Sequence, residues 1–315
     1  MVAAVETMFY VNETPWHGLG KKLQSAPTVR EGIVESGLDW ATELQDIYLA
    51  DGRKVPARAT VRGTDRSILG VVGPRYVPLQ NVEAFDWFEP FIDSGEASLH
   101  TAGSLQSGKK IWVLAQINRE NSEIVRGDEV AKFLMLSNSH DGTTAIRVGF
   151  TPIRIVCANT LAMAHNSSAS KLIRVRHTQS SRVNLDRLRE IMDTINGQFE
   201  ATAEQFRFLA SKNFNAADVR KYVKTVLGVE RVADEDLPTR TKNTMDKIFE
   251  LIENDRQSLN GVRGTYWAAY NGVNEYFNYH QGRNADNRMN SLWFGPGLTE
   301  NRNALDIALD FATAV

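Results

Sequence analysis

The spacing of apolar residues changes near residue 183, and that change limits the folds open to this chain more than any other feature. Before it, short runs are alternating or continuous in apolar residues, as strands are. They are LQDIYLA (44–50), VPARATVRG (55–63), SILGVVG (67–73), SLHTAGSL (98–105), KIWVLAQI (110–117), FLMLSNSH (133–140) and TAIRVGFTPIRIV (144–156). Gly, Asp and Pro separate the runs, and Asp141-Gly142 predicts a hairpin because both residues tolerate positive φ. After the change, Leu185, Leu188, Ile191, Met192, Ile195, Phe199, Phe206 and Leu209 recur at helical steps behind Asn184 as N-cap, which predicts one long amphipathic helix. Helical period continues through 215–228, 240–255, 265–281 and 298–314. The expectation is the α+β class: an antiparallel β-meander packed with helices, a β-β-β-α-like core, in a domain of residues 1–182, then an all-helical C-terminal domain of residues 183–315.

Within the first part, residues 8–40 read as an irregular opening punctuated by Pro15, Gly18, Gly20 and Pro27, before a helix over 28–36. Asn81 is expected to N-cap a helix carrying Val82, Phe85, Phe88 and Ile92, kinked by Pro90 and ended by Gly95. CANTLAMAHNSSASK (157–171) reads as a short helix. LIRVRH (172–177) reads as a strand with Arg174 and Arg176 on one face. In 145–150, alternation puts Ile146, Val148 and Phe150 on the core face and Arg147 on the other.

The chain has 315 residues with 36 basic and 38 acidic side chains, a net charge of −2, so no whole-protein field draws it to nucleic acid or an anionic membrane. A polyanion surface must therefore be local, and one stretch qualifies. From Gly142 to Arg182 there is no Asp or Glu, while Arg147, Arg154, Lys171, Arg174, Arg176 and Arg182 all fall there. One reading is packing, since a buried strand and helix exclude acids and leave a few solvated arginines; the other is a groove for a polyanion. The single Cys157 excludes an internal disulfide and a multi-cysteine zinc site. No basic leader and no run of about 18 apolar residues occurs, so a cytoplasmic protein with no membrane partner is expected.

Familiar enzyme signatures are absent: no phosphate loop, no dinucleotide-binding glycine motif, no HExxH, no nucleophile elbow. Six histidines show no metal-ligand spacing, and the His140-Asp141 pair falls in the expected hairpin turn. Cys157, between Val156 and Ala158, reads as a buried thiol, and Asp234-Glu235-Asp236 as a solvated loop. No catalytic residue, metal or cofactor is expected. What remains is a mixture of cations and rings, the combination that holds single-stranded nucleic acid. Lys109, Lys110, Arg147, Arg154, Lys171, Arg174, Arg176 and Arg182 are the expected phosphate contacts, with Lys109 and Lys110 exposed beside a turn. Trp16 and Tyr76, in loops, are the expected stacking rings; Trp112 and Phe150 read as core.

The runs TPWHGLG (14–20), GVVGPRYVPLQN (70–81), TAGSLQSGKKIWVLAQI (101–117), LSNSHDGTTAIRVGFTPIRIVCANTLAMA (136–164), AYNGVNEYF (269–277) and WFGPG (293–297) resemble the phage/plasmid-like proteins grouped as domain of unknown function 932. That resemblance implies a mobile-element setting in a bacterial host cell. The helix, meander and helix of 81–165 are similar in topology to the core of single-strand annealing recombinases. This second resemblance implies single-stranded DNA as partner, no nucleotide hydrolysis, a homo-oligomeric ring or filament, and a helical part that makes subunit contacts or recruits a phage exonuclease or host single-strand-binding protein. The alternative is a non-enzymatic interaction protein that modulates or inhibits a host system.

Overall fold

The computed structural model describes residues 5–11, 20–118, 121–154, 159–160, 173–178, 199–257, 259–282, 291–292 and 295–314. The chain divides into two compact units: Met1–Arg119, Phe133–Phe150 and Lys171–Ile195 form one, and Glu120–Lys132, Thr151–Ser170 and Asn196–Val315 the other. In chain order the described elements begin with β1 (Val5–Val11), β2 (Lys21–Leu23), α1 (Val29–Glu35), β3 (Thr42–Tyr48), β4 (Lys54–Arg62), β5 (Ile68–Val72), α2 (Asn81–Asp86) and α3 (Glu89–Asp93). Then come β6 (Ala97–Leu105), β7 (Lys110–Ile117), β8 (Ser122–Val125), β9 (Asp128–Ser139), β10 (Ile146–Arg154), β11 (Asn159–Thr160) and β12 (Ile173–Val175). Helices follow: α4 over 199–211, α5 (Ala216–Val226), α6 (Thr239–Ile252), α7 (Tyr266–Glu275) and α8 (Pro296–Thr313). The α+β class holds, with antiparallel strands first and helices after. No helix among the described residues is long and apolar enough to cross a membrane.

The main sheet of the first unit runs β10-β9-β7-β6-β1-β2, with β12 added on β10. Pairs β1–β6, β6–β7, β7–β9 and β10–β12 are antiparallel, while β1–β2 is parallel. Phe9, Leu99, Ile111, Val113, Leu134, Leu136, Ile146 and Val148 form one buried face with Phe85, Trp87 and Phe88 from the helices. Strands β3-β4-β5 make a separate small sheet. Helix α1 starts at a capping box, in which Glu31 N–H donates to Thr28 Oγ1 at 3.2 Å and Thr28 N–H to Glu31 Oε2 at 2.9 Å.

Several local expectations are corrected. Residues 8–11 of the expected irregular opening belong to a strand: β1 docks on β6, Phe9 and Val11 enter the core, and Thr101 Oγ1 donates to the Phe9 carbonyl at 2.7 Å. A strand whose partner lies some ninety residues ahead leaves little local trace. The helix expected behind Asn81 is two short helices, α2 and α3, with Pro90 in the first turn of the second. Gln80 precedes α2 as its N-cap and donates its backbone N–H to Glu83 Oε2 at 3.1 Å, because the Asn81 side chain is used elsewhere. The Asp141-Gly142 turn is wider than a two-residue hairpin: only Gly142 has positive φ, at 74°, and Asp141 Oδ1 instead accepts from Thr143 N–H at 2.9 Å. Asn159–Thr160 pair with Ile153 and Arg154 as a strand, not a helix; the rest of 157–171 lies outside the described residues, as does 183–198 of the expected long helix.

In the second unit, Phe206, Tyr222, Val223, Ile248, Tyr266, Trp267 and Tyr270 make the core, joined by Ile124 and Val130 of the β8–β9 hairpin. Helix α7 is buried on all sides from Tyr266 to Glu275 rather than along one stripe, and its last residue runs into a π turn, Tyr276–His280. Its N-cap Thr265 accepts from Ala268 N–H, and Trp267 Nε1–H donates to the buried Asp128 carboxylate at 2.8 Å.

The β6–β7 turn carries three successive positive φ values, 53° at Gln106, 56° at Ser107 and 80° at Gly108. A Cβ at Gly108 would collide with the Arg62 guanidinium, which is fixed over the Trp40 ring at 4.6 Å. Gly108→Ala is therefore expected to lose about 2–4 kcal/mol from backbone strain plus overpacking, read as a lowered urea midpoint.

Candidate nucleic-acid interface

Three arginines of the first unit, Arg147, Arg174 and Arg176, come together at the β10–β12 pair because of register. Strand β12 pairs antiparallel with β10, setting Ile146 opposite Val175, Arg147 opposite Arg174, and Val148 opposite Ile173. Ile146, Val148 and Val175 are buried, so alternation turns Arg147, Arg174 and Arg176 to the opposite face. Arg174 and Arg176 are exposed and Arg147 half-buried. Like charges directly across a strand pair repel. Burial, together with the Arg174 guanidinium beside it, pulls the Arg147 pKa below its ordinary value.

Lys110 opens β7 opposite Leu105 and Ser139. The expectation that Lys109 and Lys110 are exposed is corrected: Lys110 is only 9% exposed and Lys109 half-buried. The cause is position, since β7 is an inner strand flanked by β6 and β9, and the Lys109 carbonyl accepts His140 N–H at 2.7 Å. Burial lowers the Lys110 pKa, with Asp141 opposing and Arg147 reinforcing the shift. Lys110 thus lies within electrostatic reach of both an acid and the arginine row.

Tyr76 packs its ring against His177 at 4.6 Å between centroids and an interplanar angle of 27°. Its hydroxyl donates to the Ser139 carbonyl at 2.9 Å. Burial and the Asp141 charge push the phenol above its ordinary pKa. Val77 N–H donates to the His177 carbonyl at 3.1 Å, and Arg58 donates to the carbonyls of Pro74 at 2.7 Å and Tyr76 at 3.1 Å. These contacts tie the loop before α2 to the end of β12, beside Arg176. Trp112 and Phe150 are buried at 2% and 6% exposure, as their strand positions predict. Arg154 ends β10 opposite Asn159 in the second unit. Trp16, Lys171 and Arg182 lie outside the described residues, as does Cys157.

The His140-Asp141 pair is structural. His140 is fully buried, with Nε2 2.9 Å from Asn81 Oδ1 and Nδ1 3.0 Å from Thr42 Oγ1. Asn81 Nδ2 donates to the carbonyls of Leu38 at 3.0 Å and Trp40 at 3.2 Å, which turns its oxygen to the ring. Nε2 therefore carries the proton, and Nδ1 accepts from the Thr42 hydroxyl. Gln80 completes the knot, accepting Thr42 N–H at 2.8 Å and donating to the Thr42 carbonyl at 3.0 Å. No cluster of metal-ligating side chains exists among the described residues. Asp234 binds Arg220 at 2.8 Å and Lys224 at 3.0 Å, so it serves a surface ion-pair network.

Sequence reading missed the polar residues buried along α7. Asn274 Nδ2 donates to Asn301 Oδ1 at 3.1 Å, Asn278 Nδ2 to the Asn274 carbonyl at 2.7 Å, and Asn254 Nδ2 to Glu275 Oε2 at 3.3 Å. The signal was present in AYNGVNEYF, where Asn and Glu interrupt an apolar helix without a polar stripe.

An antiparallel α+β protein with a row of arginines on a strand pair is the class this geometry defines. Residues 68–293 match the family described as domain of unknown function (DUF932), and the chain belongs to it. No curated protein and no solved structure matches the chain.

Burial holds His140 down to about 3 and His100 to about 4, and lowers His177. These rings are neutral when folded at pH 7, and the unfolded chain binds protons first as pH falls. Stability is fully present above about pH 6.5 and declines progressively toward pH 3. Thermal midpoints measured from pH 7.5 to 4 are expected to fall across this window. His140→Gln should lower the midpoint at pH 7.5 and make the decline shallower.

Proposed function

We propose that this protein binds single-stranded DNA along the β10–β12 edge and acts in annealing-type recombination of a phage or plasmid, without nucleotide hydrolysis. One observation carries the reading: half-buried Arg147 and exposed Arg174 sit opposite each other in register, and exposed Arg176 continues the row. Two residues along a strand span about 6.6 Å, close to the step between phosphates of an extended single strand. An anion between the two facing guanidinium groups replaces their repulsion with charge-assisted hydrogen bonds. Lys110, buried at the start of β7, lies within electrostatic reach of Arg147 and Asp141. Arg62 is committed to Glu6 at 2.7 and 2.6 Å and is not a phosphate contact. Arg154, Lys171 and Arg182 remain proposed contacts from the acid-free stretch, and Trp16 and Tyr76 proposed stacking rings.

The same reading includes assembly into a ring or filament in the bacterial cytoplasm, with a phage exonuclease or host single-strand-binding protein as partner. Support for assembly comes from β5, an edge strand of the small sheet, where Ile68 is 67% and Val71 61% exposed.

Fluorescence anisotropy with a labelled single-stranded oligonucleotide, read between about 50 and 200 mM salt alongside light scattering, tests this. Salt-sensitive binding by a large oligomer is expected. Arg174→Ala with Arg176→Ala should reduce the slope of log affinity against log salt by about 1.4, at about 0.7 per single-strand phosphate contact. Absence of binding at low salt overturns the proposal, and an unchanged slope removes β12 from the interface.

A further inference from the structure

Every large hydrophobic residue exposed among the described residues sits on one of two surfaces. Tyr48, Ile68 and Val71 belong to the small sheet and Leu49 to its β3–β4 connection, and Val34 and Val82 belong to the cleft between α1 and α2. That cleft has a volume of about 650 Å³, within the range of sites that hold ligands. Val29 and Phe85 are buried in its floor, with Ile33 partly buried beside them. Val34 and Val82, at 57% and 52% exposure, form apolar lips, so the space is a groove open to solvent and not an enclosed cavity.

Charge is distributed unevenly around it. Asp39, Asp86 and Glu89 line the rim against one cation, Arg30, which leaves the groove two charges negative. All four are exposed. Partial burial raises the Asp86 carboxyl pKa above its ordinary value. An apolar trough between two short helices, edged with acids, complements a helix that carries an apolar stripe and flanking lysines or arginines.

We propose that the α1–α2 groove docks a basic amphipathic helix of a partner protein, its apolar stripe between Val34 and Val82 and its cations against Asp39, Asp86 and Glu89. The groove uses none of the arginines of the β10–β12 edge, so this site and nucleic-acid binding stand or fall separately. An acidic tail is the wrong partner chemistry for this rim.

The test is anisotropy of a fluorescein-labelled synthetic helix with a leucine stripe and lysine flanks, titrated with the full-length protein at physiological salt. A matched helix with glutamate in place of lysine serves as control. Saturable binding of the lysine helix is expected, with little binding of the glutamate helix. Val34→Ser with Val82→Ser, and separately Asp86→Asn with Glu89→Gln, should each weaken it about tenfold. All four positions are exposed, and circular dichroism and thermal midpoints identify any variant that has lost its fold. Equal binding of both helices, preference for the glutamate helix, or affinity unchanged in both folded variant pairs overturns the proposal. A dimer seen by light scattering that the valine variants dissolve assigns the groove to a second copy of this chain and also overturns it.

Discussion

A neutral imidazole with both nitrogens committed holds together the parts of the first unit. His140 stands at the end of β9, donates to Asn81 at the start of α2, and accepts from Thr42 at the start of β3. Through Asn81 the same knot reaches the carbonyls of Leu38 and Trp40. Main sheet, helix layer and small sheet therefore meet on one side chain that water does not reach. Buried polar groups of this kind are costly if any partner is lost, since each orphaned donor or acceptor retains its desolvation penalty. The Trp40 ring, tilted against His140 at 5.2 Å, carries the arrangement on to Arg62 and Glu6, and the β6–β7 turn closes over that guanidinium.

With this frame set, the β9–β10 connection leaves the knot in a fixed direction and β10 brings Arg147 to a defined height on the sheet. Strand β12 then meets β10 with arginine facing arginine. A pairing that places like charges together is unfavourable for an isolated sheet, and the burial of Ile146, Val148 and Val175 on the other face offsets it. The sheet thus holds positive charge at high local density in a protein whose overall net charge is only −2. Membership of the DUF932 family brings no assigned activity with it, so the functional reading rests on this charge placement. The acid-rimmed groove between α1 and α2 presents the opposite electrostatic face, suited to a basic partner and not to a nucleic acid.

Much of the architecture was legible in the residues. KIWVLAQI became β7 at the same residues, the helix expected over 28–36 became α1, and the helical period after the first part became helices α5 to α8. Other features were not legible. Strand β1 was hidden because the strand it pairs with, β6, lies some ninety residues ahead in the chain. Lys110 looked like a turn residue, yet its strand is flanked on both sides. Asn81 looked like a cap, but a buried histidine was a stronger claimant for its amide.

By itself the sequence determined the α+β class, the order of most elements, and the absence of acids from 142 to 182, because these follow from period, turn chemistry and composition over neighbouring residues. Only the tertiary structure decided that Arg147 faces Arg174, that His140 is a structural core residue, and that α1 and α2 leave a groove between them. Each of those depends on register and packing between segments far apart in the chain, and no local pattern of residues encodes which distant partner a strand or a buried polar group will find.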